Sequence, residues 1–269
     1  MKRYAAALKV HLGDYARRRL GVEEFGLYKG HQYAHILPEH LRYLNLLASA
    51  SAGIRAHLEA HPQIKEHQFF HHLNSSQAFA FNLFYPYFAA GGPAARILSK
   101  SLGVDAYVET WEFEAVPDTD EGTNVDVCWT TTEGVRVYCE VKLTESEFGQ
   151  AKVDSRHMEK LRSIYAPRLD SLVSRDLLAP EAFFAHYQIL RNISLLAERN
   201  ADQLIFLMPR ENEALEAPMT RALASVSGHA RDRIHVAYVE DCLDILESAR
   251  SLSTPLRAYA GELKEKYVL

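Results

Sequence analysis

Residues 123–144 read TNVDVCWTTTEGVRVYCEVKLT, and this stretch predicts two short strands joined by a turn. β-Branched and aromatic residues alternate with polar residues through both halves, as they do in half-buried strands. The polar positions include Asp126, Glu140 and Lys142, which are charged groups where an ordinary strand would carry Thr or Val. The relative placement of these charges depends on how the two strands pair.

Two turn lengths are compatible with this hairpin, and they place Asp126 differently. A two-residue loop at 133–134 would set Asp126 opposite Val141, whereas a three-residue loop at 132–134, ending in a left-handed glycine, sets Asp126 opposite Glu140. We prefer the second register because it gathers the polar side chains on one face and the valines on the other. Two adjacent carboxylates repel unless a cation joins them, and a divalent metal ion does this better than one lysine.

The surrounding elements predict an α/β (α+β) domain with a mixed sheet. An apolar helix precedes the hairpin at 75–90, and VDAYVETWEFEA at 104–115 alternates as a strand does. Helical patterns follow at 155–165 and 180–199, and compact apolar strands at 203–208 and 233–240. We therefore expect a helical N-terminal extension over 1–70, a core over 71–240, and C-terminal helices over 241–269 packed on that core.

Asp126, followed fourteen residues later by Glu140-Val141-Lys142, resembles the PD-(D/E)XK motif of the restriction-endonuclease-like nucleases. The order of elements is similar to the αβββαβ core of that superfamily. The resemblance implies metal-dependent hydrolysis of phosphodiester bonds, with DNA as the substrate, in bacterial defence or DNA maintenance. Asp126, Glu140 and the Val141 carbonyl would hold Mg²⁺ or Mn²⁺, and Lys142 would orient or deprotonate the attacking water. Val125 stands where the family often has Pro.

Further residues could support this site. Glu112 and Glu114 lie on the preceding strand, and Glu112 in particular is a candidate ligand. Gln77 sits where many family members place a Glu, and the neutral amide in place of a carboxylate would weaken metal binding there. The other candidates are a polar pair on a later helix, Gln188 and Arg191, and a basic stripe for nucleic-acid contact, Lys152, Arg156 and Lys160.

The bulk composition limits the function classes. The 269 residues carry a net charge of −5 and 48% hydrophobic residues, which is ordinary for a globular chain and gives no global attraction for nucleic acid. Three cysteines without a CxxC pair suit a reducing compartment, so a cytoplasmic location is expected. No apolar stretch is long enough to predict a membrane span. A homodimer is compatible with the sequence.

Several other interpretations remain open at this level. The hairpin could be a surface element with a solvated polar face, or the fold could serve as a non-cleaving module that binds nucleic acid or a protein. An unrelated α+β enzyme is a third hypothesis. Histidine pairs at i, i+4 occur three times but none forms HExxH, so the sequence does not favour a zinc site.

Overall fold

The computed structural model describes residues 3–269, which fold around a five-stranded mixed β-sheet. A separate two-stranded hairpin lies nearer the N-terminus. In chain order the strands are β1 (Leu27–Tyr28), β2 (His31–Gln32), β3 (Val108–Ala115), β4 (Val125–Thr131), β5 (Arg136–Val141), β6 (Gln203–Met208) and β7 (Ile234–Tyr238).

The described residues also form twelve α-helices, several of them short. The helices are α1 (Arg3–Leu20), α2 (Ala48–Ala60), α3 (Ser76–Ala90), α4 (Gly92–Ser101), α5 (Ser155–Lys160), α6 (Ala166–Leu169), α7 (Pro180–Ala185), α8 (Tyr187–Ser194), α9 (Glu213–Ala224), α10 (Gly228–Arg231), α11 (Val239–Ser248) and α12 (Thr254–Tyr267). None of these helices combines the length and apolar character needed to cross a bilayer.

The sheet order is β3-β4-β5-β6-β7. Strands β3, β4 and β5 form an antiparallel meander, whereas β6 runs parallel to β5 and β7 parallel to β6. A parallel pair needs a crossover connection, which α5–α8 supply before β6 and α9–α10 before β7. The structure therefore confirms the predicted α/β class and the mixed sheet.

Helices cover both faces of this sheet. Alternate side chains of each strand point to opposite faces, so both faces offer apolar groups against which helices pack. Val141 belongs to a cluster that also contains Leu8 of α1 and Leu263 of α12. Phe206 belongs to a second cluster, which it shares with Phe183 of α7. The sheet is thus buried on both sides, and a polar group on one of its faces is enclosed unless it lies near the end of a strand.

The predicted division at residues 70 and 240 stays a prediction. The first cluster contains Leu12 from the N-terminal segment, Phe79 from the central segment and Leu246 from the C-terminal segment. The three segments therefore contribute to one hydrophobic core in the folded chain.

Two predicted helices are interrupted. The helix expected over 155–165 is α-helical only to Lys160 and continues as a π-turn over Leu161–Tyr165. The helix expected over 180–199 breaks at His186, whose φ of −118° and ψ of 25° leave the helical region. Helix α8 therefore begins anew at Tyr187.

Candidate active site

The hairpin of β4 and β5 closes with the three-residue loop expected from its sequence. Gly134 has a φ of 75°, which favours glycine, and the Thr131 N–H donates to the Val135 carbonyl at 2.9 Å. Val127 is paired with Cys139. The preferred register is therefore confirmed, and one further step along it brings Asp126 opposite Glu140.

Asp126 lies at the end of β4 between two other acidic residues. Its Oδ2 accepts a hydrogen bond of 2.7 Å from the Val141 N–H. On its other side, the pairing of Phe113 with Val127 sets Glu114 of β3 opposite Asp126. Partial burial and the nearby Glu140 carboxylate raise the pKa of Asp126 well above its usual range, and Lys142 only partly opposes this shift.

Glu114 has an unusual backbone conformation for a strand residue. Its φ of 50° lies in the left-handed region, which a non-glycine residue adopts at a cost of about 1–3 kcal/mol. Its two carboxylate oxygens accept hydrogen bonds from Gln77 Nε2 at 2.8 Å and from Asn124 Nδ2 at 3.1 Å. These contacts hold the carboxylate beside Asp126.

Glu140 is buried, with 3% of its surface exposed, and is surrounded by donors. Its Oε1 accepts from Lys142 Nζ at 2.9 Å and from Gln188 Nε2 at 2.6 Å. Its Oε2 accepts from Asn192 Nδ2 at 2.9 Å and lies 3.6 Å from Arg191. Burial alone would raise the pKa of Glu140, but the two cations and the hydrogen bonds hold it below its ordinary value.

Lys142 is a buried cation in this arrangement. Burial would lower the pKa of Lys142, yet the carboxylates of Glu140 and Asp126 outweigh that effect and raise it. The side chain is therefore protonated at neutral pH. In that state it can donate hydrogen bonds and stabilise negative charge, but it has no lone pair with which to accept a proton from water.

The supporting residues predicted from the sequence divide into two groups. Gln188 and Arg191 contact Glu140 directly, and Gln77 reaches the centre through Glu114. Glu112, in contrast, is exposed and pairs with Cys128, which lies two residues from Asp126 on the same face of β4. The structure therefore brings Glu114 to the group of carboxylates and leaves Glu112 outside it.

The predicted basic stripe is not continuous in the structure. Helix α5 begins at Ser155 after an N-cap at Asp154, so Lys152 lies before the helix. Lys160 donates to the Glu121 carbonyl and lies 3.6 Å from the Glu121 carboxylate. Of the three residues, Arg156 is the one that lies exposed on the helix itself, and contact of the three with nucleic acid stays a prediction.

Asn192 is a part of the site that the sequence interpretation missed. It is fully buried and its side chain amide donates to Glu140 while accepting from Arg191. The signal was present, because Asn192 follows Gln188 by four residues and so shares its helical face. Helix α8 thus presents an amide, a guanidinium and a second amide to one carboxylate.

Replacing Asn192 by Asp should test how strongly Glu140 depends on these donors. The new carboxylate would face Glu140 at hydrogen-bond distance in a buried position, which should cost about 2–4 kcal/mol of folding free energy at neutral pH. Because acid protonates one member of the new pair, the loss should shrink as the pH falls toward 4. Thermal unfolding across pH measures both effects. Asn200→Asp, at an exposed position after α8, serves as the control and should change little. A pH-independent loss would contradict the electrostatic account.

A cleft of about 730 Å³ opens over Asp126. One side carries Gln77, Glu114 and Asp126, and the segment before α3 forms another side with Lys65, His67, Phe69 and His72. Glu140 and Lys142 do not line the cleft, and both are buried. Asp126 is therefore the member of the Asp-Glu-Lys set that a molecule in the cleft meets first.

The donor set at the cleft consists of oxygen atoms. Within residues 3–269 no cluster of three His, Cys, Asp or Glu side chains is arranged around a common point for a metal ion. Mg²⁺, however, is commonly held by one or two carboxylates with water completing the octahedron. Asp126 Oδ1 has no hydrogen bond from the described part of the chain, so Asp126 can offer one oxygen to such an ion, whereas both oxygens of Glu140 already accept hydrogen bonds and would have to exchange a donor for the ion.

The chain was also compared with known protein families, curated proteins and solved structures. A family model described as "Restriction Endonuclease associating with ARP" matches residues 2–268. The chain belongs to this family. No curated protein and no solved structure matches the chain. Membership in a restriction-endonuclease family confirms the resemblance drawn from the sequence, and it suggests nuclease activity.

Proposed function

We propose that this protein is a Mg²⁺- or Mn²⁺-dependent endonuclease that hydrolyses phosphodiester bonds in DNA, with Asp126, Glu140 and Lys142 as its catalytic residues. One observation carries the proposal. Two carboxylates on paired strands and a lysine 2.9 Å from one of them meet beside a cleft, in a chain of a restriction-endonuclease family.

Asp126, Glu140 and the Val141 carbonyl are the groups that would hold the ion. A bound divalent cation lowers the pKa of its water and neutralises charge that develops on the phosphate. The residues of the chain supply orientation. Val141 N–H fixes one oxygen of Asp126, while Gln188 and Asn192 fix the Glu140 carboxylate from the other side.

Lys142 has the role of a donor in this proposal. As a cation beside Glu140, it orients the attacking water and stabilises the negative charge that grows on the phosphate oxygens. Arg191, 3.6 Å from the other oxygen of Glu140, keeps that carboxylate ionised when Lys142 turns toward the substrate.

A second candidate is a non-cleaving module that binds nucleic acid on the same fold. The environment of Glu140 favours this candidate, because both of its carboxylate oxygens already have partners that compete with a metal ion. These partners are Lys142, Gln188, Asn192 and Arg191. The two candidates differ in one property, the dependence of phosphodiester hydrolysis on a divalent cation.

Incubation with supercoiled plasmid DNA separates the candidates. We expect conversion to nicked and linear forms in Mg²⁺ or Mn²⁺ and none in EDTA, since an endonuclease needs no free end. Retarded migration of intact plasmid with no cleavage in either ion would support the binding module. Asp126→Asn should abolish the conversion, and Glu112→Gln, at the exposed acidic position that pairs with Cys128, is the matched control that should retain it.

A further inference from the structure

The small β1–β2 hairpin stands next to the cleft and is joined to it by aromatic rings. Tyr28 of β1 packs edge-on against Phe69 at a centroid distance of 5.5 Å and against His72 at 5.7 Å. Phe69 and His72 themselves line the cleft. We call the set Tyr28, Tyr33, Phe69 and His72 the aromatic wall.

Backbone hydrogen bonds fix the aromatic wall in place. Leu37 N–H donates to the His71 carbonyl, and Leu73 N–H donates to the His35 carbonyl, so the chain after the hairpin pairs with the chain before α3. Gln77 then accepts from the His67 N–H and donates to Glu114. The aromatic wall is therefore rigidly connected to the carboxylates on the cleft's other side.

Two exposed cations of this region can contact a polyanion once the cleft carboxylates of Glu114, Asp126 and Glu145 are neutralised. Lys29 at the hairpin tip and Lys65 at the cleft edge are exposed, and neither is ion-paired with a carboxylate within residues 3–269. Glu66 also lines the cleft, but Arg42 lies 3.1 Å from its carboxylate and neutralises it. The predicted cationic stripe after β5 offers far less, because Lys160 is occupied by Glu121.

Two histidines of this region are uncharged at neutral pH. Burial, together with neighbouring histidines and Lys9, lowers the pKa of His72 to about 4. Burial likewise lowers the pKa of His35 to about 4. Tyr33 remains 38% exposed and Phe69 partly exposed, so both can contact a flat apolar partner.

We propose that the aromatic wall and the β1–β2 hairpin hold a DNA strand with unpaired bases over the carboxylates. Lys29 and Lys65 would contact phosphates, and Tyr33 and Phe69 would stack on bases. Stacking needs an exposed base face, which a paired and stacked duplex does not present, so unpaired nucleotides are the substrate feature that this surface selects. The inference rests on the proposed function only in taking DNA as the ligand.

Fluorescence anisotropy with labelled 20-nucleotide DNA, single-stranded and as the duplex of the same sequence, tests this surface. Measurements in EDTA leave the carboxylates of the cleft without a cation, and measurements in Ca²⁺ neutralise them. Tyr33→Ala should weaken single-strand binding by ~5- to 100-fold and duplex binding much less, because one stacking contact is lost. Lys29→Asn should weaken both by a similar factor and reduce the salt slope by about one, as loss of one phosphate contact does.

Both substitutions suit the local structure. Tyr33 is exposed, and Asn tolerates the left-handed φ of 51° that Lys29 adopts. Tyr107→Ala and Lys100→Gln are the matched controls, because Tyr107 is 43% exposed, Lys100 pairs with Asp105, and neither lines the cleft. The controls should bind as the wild type does.

The results separate this surface from the proposed chemistry. If Tyr33→Ala and Lys29→Asn both bind DNA with wild-type affinity and keep the wild-type KM, the proposed binding surface is wrong, even if the protein cleaves plasmid. If the wild-type protein cleaves no plasmid but the two variants bind DNA more weakly than it does, the binding surface is supported and the proposed nuclease activity is rejected. A wild-type protein that binds neither oligonucleotide, or an equal loss on both for Tyr33→Ala, would also overturn the proposal.

Discussion

Replacing Lys142 by Ala should reduce DNA cleavage by about 10²–10⁴-fold, because the variant lacks the cation that orients water and stabilises charge on the phosphate. The loss should appear in kcat at saturating plasmid, with a smaller change in KM, since Lys142 is buried and does not line the cleft. Steady-state cleavage rates in Mg²⁺ measure this. A variant that cleaves as fast as the wild type would remove Lys142 from the mechanism.

The same substitution should also destabilise the protein. Glu140 would keep Gln188, Asn192 and Arg191 but lose its closest cation, and breaking a buried ion pair costs about 3–5 kcal/mol. Denaturant unfolding in EDTA gives this number independently of activity. Lys100→Ala is the control, because its exposed pair with Asp105 should contribute at most about 1 kcal/mol. Activity compared at a temperature where both variants are folded separates the chemical effect from the loss of stability.

The geometry of the hairpin was predictable because its determinants are local. A glycine marks the end of the loop, and the alternation of valines with charged residues selects the face and with it the loop length. Together they specify that Asp126 meets Glu140. The helical spacing of Gln188 and Arg191 likewise predicted a shared face, and the same rule applied to one more residue would have found Asn192.

The choice between Glu112 and Glu114 was not predictable in this way. Alternation places both on one face of β3, and the stagger of β3 against β4 decides which one meets Asp126. That stagger depends on the irregular connection over 116–124, whose conformation depends on contacts with distant residues such as Arg168 and Lys160. The left-handed φ of Glu114 is a further local departure that no periodic pattern indicates.

Distant partners also account for the ion pair that engages Lys160 and for the aromatic wall that the sequence interpretation missed. Glu121 pairs with Lys160 across 39 residues, which no spacing rule within a helix can indicate. Tyr28 and Phe69 are similarly far apart in sequence and meet only because the chain after β2 bridges to the chain before α3. Sequence periodicity predicts which face a residue shares, whereas contacts between loops depend on the assembled fold.

Asp126→Asn should have opposite effects on stability with and without a divalent cation. The raised pKa of Asp126 means that the folded state binds a proton more tightly than the unfolded chain does. Without metal, Asp126 therefore stabilises the fold below its unfolded pKa of about 3.9, and this contribution is lost as the pH rises through the folded value. Each unit of that pKa shift corresponds to about 1.4 kcal/mol. Asn is neutral at every pH and can still accept from Val141 N–H, so the variant should be more stable than the wild type at pH 7 in EDTA.

In Mg²⁺ or Mn²⁺ the order should reverse, because only the wild type gains from binding an ion in the folded state. The gain grows with ion concentration and reaches about 2.7 kcal/mol at ~100 times the dissociation constant. Melting temperatures of both proteins over a metal titration, at pH 4 and at pH 7, measure the effect. Glu112→Gln is the matched control and should respond to metal as the wild type does, because Glu112 pairs with Cys128 rather than Asp126. Equal metal-induced shifts in the wild type and in Asp126→Asn would show that this carboxylate does not hold the ion, since the amide cannot replace its charge.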